Sequence, residues 1–112
     1  MQVFHDLAES LLDIEAELRR LDWWGSESPC AQSLASVEPF CVDTMAVEQW
    51  LQWVFLPRMR QLLEQADELP ARSGLAEMAE VVYGHIPGKT VSLRRSLKRF
   101  DRLLEKRDQL QG

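Results

Sequence analysis

The chain has 112 residues, of which 46% are hydrophobic and 28% charged, and its formal net charge is −5. This balance excludes a disordered chain and suits one domain spanning residues 1–112. An acidic chain is a poor general nucleic-acid binder, and no apolar run is long enough to cross a bilayer. The first ten residues, MQVFHDLAES, lack a secretory leader, so we expect a cytoplasmic protein with reduced cysteines.

The first segment predicts an amphipathic helix from about Val3 to Leu21. Its apolar residues recur at spacings of three and four, the spacing of one helical face. Acidic residues follow the same spacing on the opposite side. The apolar positions are Phe4, Leu7, Leu11, Ile14, Leu18 and Leu21.

A long connection follows the first helix. Gly25, Pro29 and Pro39 resist helix formation over about twenty residues, although an isolated helical turn fits within them. Trp23 and Trp24 are adjacent, so both cannot point inward from a helix end. The favoured interpretation is that the loop covers both rings, and the alternative is an exposed tryptophan that anchors a partner.

The second helix is predicted to begin after Asp43, whose carboxylate is placed to cap it, and to continue to about Ala66. The apolar phase continues across Pro57, which predicts one helix kinked there, with a split into two helices as the alternative. Trp50 and Trp53 lie three residues apart and are expected to fill the core.

Two further helices complete the predicted fold. A short helix spans about Leu75 to Tyr83, and the last begins near Thr90 or Ser92 and ends near Asp108. Four helices without any alternating strand pattern predict an all-α, antiparallel four-helix bundle with a long loop between its first two helices.

Few patterns indicate chemistry. GHIPGKT, Gly84 to Thr90, is one residue too short for a phosphate-binding loop and follows no predicted strand. The two histidines, His5 and His85, have no metal-ligand spacing with Cys30 or Cys41, and no nucleophile motif occurs. We therefore predict no catalytic residue, cofactor or metal, and keep a small enzyme or ligand-binding domain of unknown substrate as an alternative.

The last predicted helix carries a coherent basic stripe, although the chain as a whole is acidic. Six basic residues fall within an arc of about 140° opposite the leucines. This geometry suits a phosphate backbone, but no aromatic residue is interleaved for base stacking. The favoured interpretation is a solvated face bordering the acidic side of the first helix, and contact with protein or RNA is the alternative. The six residues are Arg94, Arg95, Lys98, Arg99, Arg102 and Lys106.

The segment EPFCVDTMAVEQWLQWVFLPRM, Glu38 to Met59, resembles the signature of the YqcC-like family of small, poorly characterised bacterial proteins. The matching pieces are PF, DTM, WLQWV and PRM. The resemblance implies an all-α four-helix bundle and supplies no catalytic residues or cofactor. Genes of this family often neighbour a gene for a tRNA pseudouridine synthase, which implies such a protein as a partner.

These observations favour a non-enzymatic interaction or accessory protein. Its candidate partner surface contains Trp23, Trp24, Asp43, Trp50 and Arg58. A helix cap by Asp43 and an ion pair for Arg58 are their structural alternatives. An RNA-binding accessory factor that uses the basic stripe is the second hypothesis. A homo-oligomer is an open alternative, and no membrane association is expected.

Overall fold

The computed structural model describes residues 2–65, 69–70 and 73–111. Within these ranges the chain forms helices and turns and contains no strand, which confirms the all-α class. A 3₁₀ turn (Pro39–Cys41) and a π-helical segment (Leu51–Phe55) accompany the α-helices. The α-helices are α1 (Gln2–Arg20), α2 (Ala31–Leu34), α3 (Val47–Trp50), α4 (Leu56–Glu64), α5 (Leu75–Val82) and α6 (Val91–Gln111).

The first and last helices pack together most extensively and enclose much of the core. Their apolar stripes are buried, as the spacing of three and four predicted. Acidic and basic sides meet where Arg99 Nη1 lies 3.0 Å from Asp13 Oδ2. The buried residues of this contact are Leu7, Leu11, Ile14 and Leu18 on α1 and Leu93, Leu97, Phe100 and Leu104 on α6.

The helical backbone runs without interruption from Val47 to Glu64, and the π-helical segment ends at Phe55, two residues before Pro57. A proline has no N–H to donate and its ring crowds the carbonyl four residues earlier, so a wider turn accommodates it. The structure therefore has one helical run with a local distortion where the sequence predicted a kink. The kink angle stays a prediction, and the predicted end at Ala66 lies outside the described residues.

The predicted cap by Asp43 is wrong. The residue at the N-cap position is Ala46, and its backbone N–H donates to Gln49 Oε1 at 2.9 Å. Asp43 instead accepts a hydrogen bond from the Ser36 hydroxyl. Residues 42–45 form turns rather than the first helical turn, which leaves Asp43 three residues too early to cap α3.

The start of α5 is held by a residue of α6. Gly74 adopts a left-handed conformation with φ 66°, and no side chain of its own segment caps the helix. Asp101 accepts hydrogen bonds from the N–H groups of Ala76 (2.8 Å) and Leu75 (3.4 Å), and from the Ser73 hydroxyl. A carboxylate at a helix N-terminus accepts hydrogen bonds from the free N–H groups and interacts favourably with the positive end of the helix dipole. Asp101 of α6 therefore helps to position α5.

Candidate functional site

The turn that ends α1 orients both tryptophans of the long connection. Asp22 is left-handed (φ 62°), and the Trp23 N–H donates to the Leu18 carbonyl at 2.9 Å, as in a Schellman turn. Trp23 stacks on Tyr83 with ring centroids 5.3 Å apart, and Trp24 also packs on the core. Both indoles are half-buried, so neither is a freely exposed anchor.

Gln52 links the long connection after α1 to the central helical run, which is the continuous helix from Val47 to Glu64. Its Oε1 accepts from the Gly25 N–H at 2.8 Å, and its Nε2 donates to the Gly25 carbonyl at 2.7 Å. Gln52 is only 5% exposed, so this reciprocal pair gives both polar atoms of a buried amide a partner at the backbone of one residue. Sequence reasoning missed it, because no local signal joins residues 27 positions apart.

A first depression, the Trp53 cleft, lies between the connection and the central helical run and has a volume of about 300 Å³. Trp53 is half-buried but does not pack on the core, so the prediction that it fills the interior is wrong. Glu48 accepts a hydrogen bond from the Tyr83 hydroxyl (3.1 Å). Burial, followed by the Glu48 charge, raises the pKa of Tyr83. The side chains that define the cleft are Trp23, Trp24, Trp53, Asp22, Glu27 and Glu48.

A second depression, the Trp50 groove, has a volume of about 290 Å³ and is mainly apolar. The Trp50 ring meets Phe40 edge-on at 5.0 Å and stacks on Phe55 at 5.6 Å between centroids. Arg58 stands exposed at the rim and makes no ion pair with any described residue, so the pairing considered from the sequence is not found there. The defining side chains are Phe40, Trp50, Val54, Phe55, Arg58 and Met59.

The five residues of the predicted partner surface do not share one depression. Trp23 and Trp24 line the Trp53 cleft, whereas Trp50 and Arg58 line the Trp50 groove. Asp43 is exposed in the connection and is not among the described lining residues of either. Trp50 and Trp53 lie three residues apart but line different depressions.

Only four of the six residues of the predicted basic stripe are without a partner among the described residues. Arg99 binds Asp13 at 3.0 Å, and Arg94 donates to the Pro87 carbonyl at 2.7 Å. The other four are exposed and make no ion pair or hydrogen bond with the described residues. With Leu103 and Arg99 these four line a shallow depression of about 350 Å³. The four unpaired cations are Arg95, Lys98, Arg102 and Lys106.

The histidines and cysteines are the remaining residues that could ligate a metal or react chemically. His5 is exposed on α1, and His85 is exposed in the turn before α6. Across the described ranges, no group of three His, Cys, Asp or Glu residues could hold a metal ion. Both cysteines are free: Cys41 is buried, and Cys30 is exposed with its pKa lowered by the Ser33 hydroxyl beside its sulfur.

Comparisons of the sequence and the fold with known proteins show which family the chain belongs to. The family model described as "DUF446: tRNA pseudouridine synthase C" matches residues 6–103. The solution NMR structure of protein YqcC from Escherichia coli superposes with a TM-score of 0.83 at 30% sequence identity, covering 94% of this chain and 90% of that one. The chain belongs to the YqcC-like family. No helix of this YqcC-like chain combines, among its described residues, the length and apolar character that crossing a membrane requires.

Curated relatives of this YqcC-like chain come from three bacteria. An uncharacterised protein of Haemophilus influenzae is 39% identical over 72 residues, which is 64% of this chain and 68% of that protein. The uncharacterised protein YqcC of Escherichia coli is 38% identical over 68 residues, 61% of this chain and 62% of that protein. A Pectobacterium carotovorum protein named tRNA pseudouridine synthase C is 47% identical over 66 residues. That match spans 59% of this chain but only 18% of that protein.

Proposed function

We propose that this YqcC-like chain is a cytoplasmic, non-enzymatic accessory protein whose single domain, an antiparallel four-helix bundle, binds a partner protein through the Trp50 groove. The groove carries the proposal, because it combines an apolar floor with an arginine at its rim that has no ion-pair partner among the described residues. Tryptophan and arginine are the residue types most enriched among the strongest contributors to protein interfaces. A matching segment would insert a large apolar side chain and place a carboxylate beside Arg58.

The partner we propose is a tRNA pseudouridine synthase. The support is the Pectobacterium carotovorum relative, in which a segment similar to this chain makes up 18% of a protein with that name. Two segments joined in one polypeptide stay at high effective concentration without a strong contact. On separate chains the same association would need a specific contact surface, and the Trp50 groove is the apolar candidate for it.

Binding between the purified chain and a tRNA pseudouridine synthase from the same cell, measured by isothermal titration calorimetry, tests this proposal. Replacing Arg58 by Glu should weaken binding at least tenfold, because loss of an interface arginine of this kind costs about 2 kcal/mol or more. Lys106→Glu makes the same charge change at an exposed position outside the groove and should leave the affinity unchanged. Equal affinities for both variants, or no binding by the unmodified chain, would contradict the proposal.

A second candidate function is RNA binding by the basic stripe. The observation that favours it is the set of four exposed cations of α6 that have no partner among the described residues. Four neutralised single-strand phosphates give a slope of about −2.8 in log affinity against log salt, or about a fiftyfold loss between about 50 and 200 mM salt. A contact through the Trp50 groove should depend far less on salt.

Titration of a fluorescent single-stranded RNA at several salt concentrations tests the RNA alternative. The double variant Arg95→Glu, Arg102→Glu should lower the affinity and roughly halve the slope. Arg58→Glu, a single charge reversal away from the stripe, is the control for this titration and should leave the slope unchanged. An unchanged slope in the double variant would remove the stripe from consideration, whereas calorimetric binding of the synthase would be unaffected.

A further inference from the structure

The Trp53 cleft has a composition that the Trp50 groove lacks. Three indole rings enclose it, and three carboxylates belong to the same wall. None of its described lining residues is basic. The half-buried Trp53 ring makes no ring contact or hydrogen bond with any described residue. A large aromatic surface bordered by acids that form no ion pair with the described residues is electrostatically suited to a cation.

Two of these tryptophans, Trp23 and Trp24, already attract cations of the chain itself. The Arg19 guanidinium carbon lies 4.6 Å from the centroid of the Trp24 ring, and Lys89 Nζ lies 5.4 Å from that of Trp23. Both distances are within the range of a cation–π interaction. Trp23 is also stacked on Tyr83, whereas no cation or aromatic ring among the described residues lies over the Trp53 ring.

Hydrogen bonds and ring stacking also restrain part of the cleft wall. Gln52 binds both backbone groups of Gly25, and Tyr83 both stacks on Trp23 and donates to Glu48. An aromatic site with its walls fixed in this way loses little conformational freedom when a ligand enters.

We infer that the Trp53 cleft binds the guanidinium of an arginine side chain presented by a partner protein. The planar guanidinium stacks on an indole and donates to carboxylates in the same plane, which a compact ammonium does less well. The apolar stem of the arginine would lie along the tryptophan rings. The cleft volume of about 300 Å³ is at the lower end for small-ligand sites, which suits one side chain rather than a whole cofactor.

This site is separate from the Trp50 groove and rests on the proposed function only for the identity of the protein that carries the arginine. A partner that fills both depressions would present an apolar side chain beside a carboxylate to the Trp50 groove. It would present an arginine to the Trp53 cleft. Binding of the arginine itself can be measured without that partner.

Titration of the ¹⁵N-labelled chain with N-acetyl-arginine amide, followed through the indole N–H signals in NMR spectra, tests the inference. Single Trp→Phe variants assign the four signals. We expect saturable shifts for Trp23, Trp24 and Trp53 with a dissociation constant in the millimolar range, and no comparable shift for Trp50. N-acetyl-citrulline amide, which has nearly the same shape without the charge, should give no saturable shift.

A triple variant checks the role of the carboxylates while keeping the side-chain shapes. Asp22→Asn tolerates the left-handed backbone, Glu48→Gln keeps an acceptor for Tyr83, and Glu27 is exposed and can be changed to Gln. Affinity for the arginine probe should fall about tenfold. Equal responses to the arginine and citrulline probes, equal shifts for Trp50, or no saturation would overturn the inference. Arg58→Glu should not alter the probe titration, so this result is independent of whether the Trp50 groove binds a synthase.

Discussion

Replacement of Gln52 by Glu is the sharpest test of how the connection is attached to the central helical run. An ionised carboxylate only accepts hydrogen bonds, whereas the amide both accepts from and donates to the backbone of Gly25. The substitution therefore keeps the bond to the Gly25 N–H and turns the 2.7 Å bond to its carbonyl into a contact between two acceptors. With only 5% of the residue exposed, the charge would also lose most of its hydration.

The expected cost follows from the pKa of the introduced carboxyl group. Burial and the facing carbonyl should raise this pKa by about two units above the usual value of about 4.3, and each unit corresponds to about 1.4 kcal/mol. The variant should then be about 3 kcal/mol less stable than the unmodified chain at neutral pH. A protonated carboxyl has one donor and one acceptor and can restore both bonds, so the deficit should be small below about pH 4. It should grow as the pH rises from the unfolded pKa to the raised folded pKa, and then become constant.

Urea unfolding followed by far-ultraviolet circular dichroism at several pH values measures this deficit. Gln49→Glu is the matched control, because Gln49 is exposed and uses only its oxygen, to accept from the Ala46 N–H. A carboxylate keeps that bond and is favourable in the first turn of α3, so the control should lose little stability at any pH. Similar deficits for the two variants, or a deficit for Gln52→Glu that does not change with pH, would refute the reasoning.

Three other predictions concern Asp101, Glu15 and the thiols. Asp101→Ala should lower the free energy of unfolding by about 2 kcal/mol in urea titrations, because α5 loses both its cap and a favourable charge. A hydrogen bond from Arg60 lowers the pKa of Glu15, so this ion pair stabilises the fold above the unfolded pKa and is lost as the pH falls through the folded value. Glu15→Gln should therefore cost under about 1 kcal/mol at neutral pH and almost nothing in acid, again by urea titration. Iodoacetamide should modify exposed Cys30 much faster than buried Cys41, as measured by peptide mass spectrometry.

Each of these predictions has a result that would contradict it. Asp101→Asn keeps an oxygen acceptor and should recover about half of the stability lost in Asp101→Ala; a loss below about 0.5 kcal/mol for the alanine variant would show that the contact matters little. A Glu15→Gln deficit of the same size in acid and at neutral pH would rule out the ion pair as its cause. Rapid modification of Cys41 in the folded chain would show that its thiol is accessible.

Local sequence was sufficient to predict the helices and their apolar faces. In α1 and α6 the apolar residues recur every three or four positions, and burial selects that face whatever the details of the packing. It also predicted that the two helices are neighbours with facing charges, as the contact between Asp13 and Arg99 confirms. The signature around Trp50 pointed to the correct family, because a long pattern of large and turn-forming residues rarely recurs by chance.

The hydrogen bonds and free charges were decided only by the tertiary structure. Asp43 had a good local pattern for a helix cap, yet turn geometry moved the helix start to Val47. Gln52 and Asp101 have backbone partners 27 and 25 residues away, and spacing along the chain carries no information about such pairs. Whether a surface arginine is free or paired depends in the same way on which helix lies beside it. Amphipathic periodicity is a property of one helix, whereas a polar contact is a property of two segments brought together by the fold.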